Sequence, residues 1–461
     1  MKTLLAAVAL WGGIGAVAAD FTDGGISYNI VSADGLTCSV ASAAGSYKGE
    51  VAIPETAVSG DKTYKVVAVG YGAFRNCSGL TGVKLPETVT LVGGAAFQYC
   101  TGLKRVELPN SVDSVGDDAF SYCSALEEVV LPAGLRTISD NLFRFCSALA
   151  SVTIPASVTR IESGAFGGTG LVSVAIPDAV TELGNFAFQD CKALTSVSMG
   201  SGLASIGNYA FAGCEQLADV SFGESVAAVG EYAFRGCTAL ASVALPESLK
   251  TLGTGAFYGC TGLKDARLGA GLATIGDFAF FDCAALEGVV IPDGVTSLGS
   301  CAFYNCSGLE SVTLGSSLAS IGSDAFYGCK VIRAIAFRSA EPPALDGSDW
   351  LEDEVFSSAT LYVPEDSYLK YAALFAFGRF DNIEKMDVTA VGAVAAADGA
   401  TVSAADGRIV VENASGRVAV YDAAGALMES ADAAGGRLEL ALPSGRVYIV
   451  KAGGKAVKVA L

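Results

Sequence analysis

The chain has 461 residues, with 48 acidic against 29 basic side chains, no histidine and a formal charge of −19. At 51% hydrophobic and 17% charged residues it is an ordered, core-forming polypeptide, which excludes an acidic disordered tail. The missing histidine removes Ser/His/Asp and Cys/His triads, His-ligated zinc and the commonest general base, while the acidic balance argues against nucleic acid, whose phosphates need clustered Lys and Arg.

Residues 1–19 begin with Lys2, run through the apolar Leu4 to Leu10 stretch and end Ala16-Val-Ala-Ala19 before Asp20. This is the pattern of a secretory signal peptide with a small-residue cleavage site. No later stretch is long and apolar enough to span a bilayer, so no transmembrane segment is expected in the mature chain.

A repeat follows. Phe recurs at Phe74, Phe97, Phe120, Phe143, Phe166, Phe188, Phe211, Phe234, Phe257, Phe280, Phe303 and Phe326, preceded by Ala everywhere except at Leu142, and every spacing is 23 except one of 22. A fixed period of this length with leucine-type positions predicts a solenoid, in which each coil buries its apolar side only by stacking on its neighbours. Within a coil, Val83 and Leu85 alternate with Lys84, the period of a strand with one face inward. Pro86, Pro109, Pro132, Pro155, Pro177, Pro246 and Pro292 end these strands, since proline cannot donate to a ladder. A second apolar pair such as Val112 and Val115 leads to Gly116, expected as the turn into the Ala-Phe segment. The outward strand row is expected to run from Lys84 and Glu107 to Val290 and Thr313, small and polar in its middle.

Eleven of the 13 cysteines stand three residues after a repeat Phe, from Cys77 to Cys329, with Thr169 in the missing place. Equivalent side chains in stacked coils point the same way, whereas a disulfide needs convergent Cβ atoms, so the spacing predicts a ladder of buried thiols acting as small hydrophobes. With no Cys-x-x-Cys pair and no histidine, neither a metal nor any other cofactor is expected.

Aromatic side chains form further columns beside the repeat Phe. Tyr258, Phe281, Tyr304 and Tyr327 follow it directly; Tyr99, Tyr122 and Phe145 stand one residue later; Phe186, Tyr209, Tyr232 and Phe278 precede it. Two readings stand: exposed tracks that bind a protein or a glycan through apolar rings, and structural stacking between coils. Tyr258, Phe281, Tyr304, Tyr327, Tyr99 and Tyr122 are the candidate partner-binding residues. No pair of carboxylates stands out as catalytic; the acids of Ser339 to Glu354 (Glu341, Asp346, Asp349, Glu352, Asp353 and Glu354, around Trp350) are the only enzyme candidate and read more simply as a capping loop.

The repeat frame resembles the BspA-like leucine-rich repeats of bacterial surface proteins, whose pattern is similar to Leu-x-x-Val-x-Ile-Pro followed by Val-x-x-Ile-Gly-x-x-Ala-Phe-x-x-Cys. The resemblance implies a β-rich solenoid of about twelve 23-residue coils with stacked parallel strands over 67–337, an entry cap over 20–66 and an exit cap over 338–386. It also implies adhesion or ligand binding outside the cell, and carries no catalytic residue across.

After Met386 the repeat stops. Residues 387–403 read as a linker, and Arg408–Glu412, Arg417–Tyr421, Arg437–Leu442, Val447–Lys451 and Lys455–Leu461 as the strands of a small β-sandwich over 404–461. This segment resembles the C-terminal sorting domain of the type IX secretion system. That resemblance implies a Bacteroidetes-type bacterium, the type IX machinery as a partner, and export to the outer-membrane surface or beyond. The sequence thus reads as a non-enzymatic, adhesin-like binding protein for host matrix protein, other cells or glycans. The alternative is a surface carbohydrate-binding or carbohydrate-processing accessory protein.

Overall fold

The computed structural model describes residues 18–386 except 44, 348 and 349, together with the strands of the C-terminal segment between 394 and 460. The predicted signal peptide lies outside the described residues but for its last two. Residues divide into two compact units, 1–263 and 264–461.

In the first unit the chain is a β-solenoid. The entry cap pairs Ile26–Ser32 with Thr37–Val40 antiparallel, and Thr37–Val40 lies parallel to Lys62–Val69, which starts one ladder of the coil stack. From Thr137–Ile138 a further ladder of equivalent strands runs parallel and in register through Arg160–Ile161, Glu182–Leu183, Ser205–Ile206 and Ala228–Val229 to Thr251–Leu252. The opposite face carries the strands predicted from the Val-x-Leu pattern, such as Ser173–Ala175, Ser196–Ser198 and Asp219–Ser221, paired parallel.

Phenylalanine fills the centre. Phe74 to Phe257 are fully buried, and neighbouring rings stack almost parallel, as with Phe97 and Phe120 at 5.1 Å and 2° and Phe188 and Phe211 at 5.3 Å and 1°. Tyr47 closes the first end of the column on Phe74 at 4.8 Å.

The glycine of the Ile-Gly-x-x-Ala-Phe frame has a different cause from the turn expected for it. It has no positive φ; instead it lies against the backbone of the preceding coil. A Cβ on Gly207 would stand 2.6 Å from the carbonyl carbon of Gly184 and 2.7 Å from the amide of Asn185. Where this position carries a side chain the stack loosens. Ser139 and Glu162 replace the glycine in two successive coils, Ser114–Val115 and Thr137–Ile138 fall in separate sheets there, and the Phe120–Phe143 and Phe143–Phe166 spacings widen to 5.7 and 5.6 Å. Gly207→Ala should therefore cost about 1–3 kcal/mol, because both neighbours are backbone and cannot swing aside. A denaturant melt within half that lower bound would show that the coils separate freely.

The second unit continues the same repeat. Gly288–Val290, Ser311–Leu314, Ala334–Phe337, Thr360–Pro364 and Asn382–Met386 pair parallel in sequence, so the exit cap adds two strands to the repeat sheet. Thr313, expected to face outward, is 2% exposed and Ser311 beside it is also buried, so the outer face is covered at this end. Trp350 terminates the Phe column edge-on to Phe326 at 6.3 Å, with Phe337, Phe356, Phe377 and Phe380 around it.

The C-terminal segment forms two four-stranded antiparallel sheets. All five expected strands are present. Val394–Ala395, Thr401–Ala405 and Leu427–Ala434 are added to them, the first inside the segment expected as a linker, the rest of which up to Thr401 lies outside the described residues. Ile409, Val411, Val418, Val420, Tyr448 and Val450 are buried.

Candidate functional site

Each coil turns around its Phe through two residues in the left-handed region, the second before and the second after it, as at Asn141 (φ 53°) and Phe145 (φ 59°). This geometry turns the second amide toward the next coil: Tyr99 donates to the Ser121 carbonyl at 2.9 Å and Tyr122 to that of Arg144 at 2.7 Å. Glycine, Asn or Asp suits such a position at low cost, and most coils use them. At Tyr99, Tyr122, Phe145, Phe186, Tyr209, Tyr232 and Phe278 an aromatic ring stands there instead, with φ between 53° and 61°.

These rings form half-exposed ladders. In the first unit Tyr99 and Tyr122 stack at 4.5 Å, with Phe145 4.9 Å further on. That ladder ends on Gly168, where a Cβ would stand 2.5 Å from the Phe145 ring. A second ladder, shifted to the other side of the repeat Phe, runs Phe186, Tyr209 and Tyr232 at 5.3 and 5.1 Å and ends on Gly255, whose Cβ would meet the Tyr232 ring at 2.3 Å. Tyr258 stands beside Tyr232 at 6.2 Å, and the Arg235 guanidinium lies over both rings, 6.0 and 5.6 Å from their centres. In the second unit Phe281, Tyr304 and Tyr327 stack at 4.9 and 5.7 Å, with Phe278 against Phe281.

The structure thus brings Tyr99 and Tyr122 together and, separately, Phe281, Tyr304 and Tyr327, while Tyr258 groups with Tyr232 and Arg235 in the first unit. Stacking has a chemical consequence for all three ladders. Within each ladder neighbouring rings cover one another's faces, and the first two ladders end on glycine, so the inner rings offer the surface their edges and, at tyrosine, their hydroxyls.

The strain can be measured. Tyr209→Ala keeps the left-handed backbone and loses two stacked neighbours, each worth about 0.5–1.5 kcal/mol. Tyr209→Gly loses the same contacts but relieves a backbone cost of about 1–2 kcal/mol. The glycine variant should therefore be the more stable of the two by roughly that amount and lie near the parent. Equal stability in urea would show that no strain is held there.

The thiols do more than fill space. Cys100, Cys123, Cys146, Cys214 and Cys237 each donate from Sγ to the carbonyl of the repeat Phe in the preceding coil, at 3.0–3.3 Å, an acceptor that also takes the amide of the Cys in its own coil. Thr169 makes the equivalent bond within its own coil, to Phe166 at 2.8 Å. The expected ladder of buried, reduced thiols is present, and these contacts add weak hydrogen bonds from coil to coil. No disulfide joins the cysteines, and burial pushes the thiols up, to about 12 at Cys100 and Cys260 and about 11 at Cys191.

One group escaped sequence reading. Carboxylate oxygens of Asp117, Asp140 and Glu162 lie within 4.8 Å of one another where the glycine row is interrupted. Burial, then the charge of Asp140, raises both Asp117 and Glu162, and Arg160 at 3.5 Å offsets the repulsion at Glu162. The one-period spacing of Asp117 and Asp140 was the available signal. Three acids of the exit loop are ion-paired, Glu341 with Lys370, Asp353 with Arg379 and Glu352 with Lys330, while Ser339 bonds the buried Tyr371 hydroxyl at 2.7 Å. Asp349 lies outside the described residues.

Parallel strands in register, a stacked Phe core and short turns without an added domain between coils define a leucine-rich-repeat solenoid protein. The family model described as BspA type Leucine rich repeat region matches residues 67–195, 181–288 and 273–362, and the chain belongs to that family. No curated protein matches the chain. Among solved structures it is similar to a leucine-rich repeat protein from Bacteroides ovatus, 24% identical with a TM-score of 0.50, over 80% of this chain and 100% of that one. It is also similar to a leucine rich cell surface protein from Faecalibacterium prausnitzii (27% identical, TM-score 0.43, 74% of this chain and 97% of that one). The pneumococcal vaccine antigen PcpA is similar at 18% identity and TM-score 0.45, over 81% and 100%. Among the described residues no helix is long and apolar enough to cross a membrane.

Proposed function

We propose that this chain is a non-enzymatic, adhesin-like surface protein that binds a protein partner through its aromatic ladders, among them the ridge of Phe186, Tyr209 and Tyr232 in the first unit. The observation that carries this reading is the placement of seven rings in left-handed backbone, where glycine is cheaper and where strain is characteristic of functional sites. Ring edges with hydroxyls beside an exposed Arg are the composition of a protein hot spot. Glycans stack on flat ring faces, and the inner rings of these ladders cover one another's faces, which favours polypeptide over the carbohydrate reading.

The test is to present the full chain to an array of glycans and to a display library of random linear peptides. Selected peptides that lose affinity for Tyr209→Gly, a variant expected to keep its fold, support the reading. Glycans bound in preference to peptides would replace it with the carbohydrate one.

Export belongs to the same proposal. The C-terminal segment supplies the address and the repeat supplies the binding surface, so deleting 404–461 should leave a folded solenoid in the periplasm that still binds in vitro. Normal surface display of that truncation would remove the sorting role.

A further inference from the structure

Several exposed cations of the chain stand at ion-pair distance from a carboxylate, as Arg105 does from Glu107 and Glu128. Lys192, in the neighbouring part of the stack, is drawn to Glu215 at 3.0 Å. Arg235 differs. Its side chain is exposed, lies over the rings of Tyr232 and Tyr258, and among the described residues has no carboxylate at ion-pair distance. Tyr232 is one of the strained rings, at φ 53°. Beside this cation and its rings the surface is open. Gly236 and Gly259 directly follow Arg235 and Tyr258, both with positive φ, and a Cβ at either would meet nothing within 4 Å.

We propose that Arg235, seated on Tyr232 and Tyr258, is the anchor for an acidic side chain of an extended polypeptide whose backbone passes over the Gly236 and Gly259 shelf. The inference rests on the aromatic-ridge reading and narrows it to one charge class. A guanidinium forks onto a carboxylate through two parallel hydrogen bonds, and flanking rings exclude water from that pair as the partner seats. Charge complementarity fixes the class: a basic segment would meet Arg235 head-on, and a neutral one would leave it desolvated and unpaired. The glycine shelf sets the shape, because missing side chains let a second main chain approach where two neighbouring coils present only backbone.

The experiment uses the full chain and a display library of random linear peptides. Selected peptides should carry Asp or Glu next to an aromatic or aliphatic residue. Arg235→Gln should weaken them about tenfold or more, and Arg235→Lys should restore only part of the loss, since an ammonium cannot fork. Melting curves should match the parent, because Arg235 is exposed. Peptides without acidic residues, unchanged binding by Arg235→Gln, full rescue by Lys, or recovery of acidic glycans alone would each overturn the proposal. If Tyr209→Gly abolishes binding while Arg235→Gln does not, the ridge reading stands and this one falls; if neither variant matters, both fall.

Discussion

Stability should collapse as pH rises above about 9, well before ordinary side-chain chemistry would demand it. The sign follows from the thiol ladder. Burial raises the folded-state value of Cys100 and Cys260 from 9.0 to about 12 and of Cys191 to about 11. The proton is held more tightly in the folded than in the unfolded chain. Their contribution is thus fully present below the unfolded value and is lost as pH climbs toward the folded ones. Each such thiol removes roughly 1.4 kcal/mol per pH unit inside its window, and the members of the ladder titrate in the same window on unfolding. Urea midpoints measured from pH 7 to 11 should fall steeply from about 9, with release of several protons on unfolding. The same burial makes native thiols unreactive toward alkylating reagents until denaturant is added. A flat profile through pH 10, or rapid native labelling of most cysteines, would show that the column is open.

Phe211→Ala should cost about 3–5 kcal/mol. Phe211 is fully buried between Phe188 at 5.3 Å and Phe234 at 5.2 Å, with both rings within 9° of parallel. Its carbonyl accepts from the amide of Cys214 and the thiol of Cys237, so its coil is bonded to the next one at the same point where the ring stacks. Neighbouring coils cannot close the gap because backbone already touches backbone at Gly207 and Gly230. Damage should spread along the stack, since coils are stable only through their neighbours. Hydrogen exchange at Phe188 and Phe234 should accelerate with that at residue 211. A loss below half a kcal/mol in a thermal melt would mean that the column carries no packing.

The repeat, most of its strands and the inward column of Phe and Cys were legible in the sequence, because all of these follow from a period that places like residues in register; the coil of Pro155 is the exception, since Ser151 to Ile154 form no strand before it. It also located the aromatic columns by residue number. Their meaning came only from tertiary structure. Whether a ring two residues from the repeat Phe shows a face or an edge depends on what the next coil puts beneath it, Tyr122 under Tyr99 or Gly168 under Phe145. Likewise the frame glycine looks like a turn residue in one dimension and proves to be a contact between two main chains. The thiols, legible as filler, are donors as well, because their acceptor belongs to another coil. Leu427–Ala434 carries no β-branched or aromatic residue to announce a strand, and antiparallel pairing with Ser415–Asp422 supplies what its pattern does not. Interactions within one period are written in the spacing, whereas those between periods depend on distances that only stacking creates.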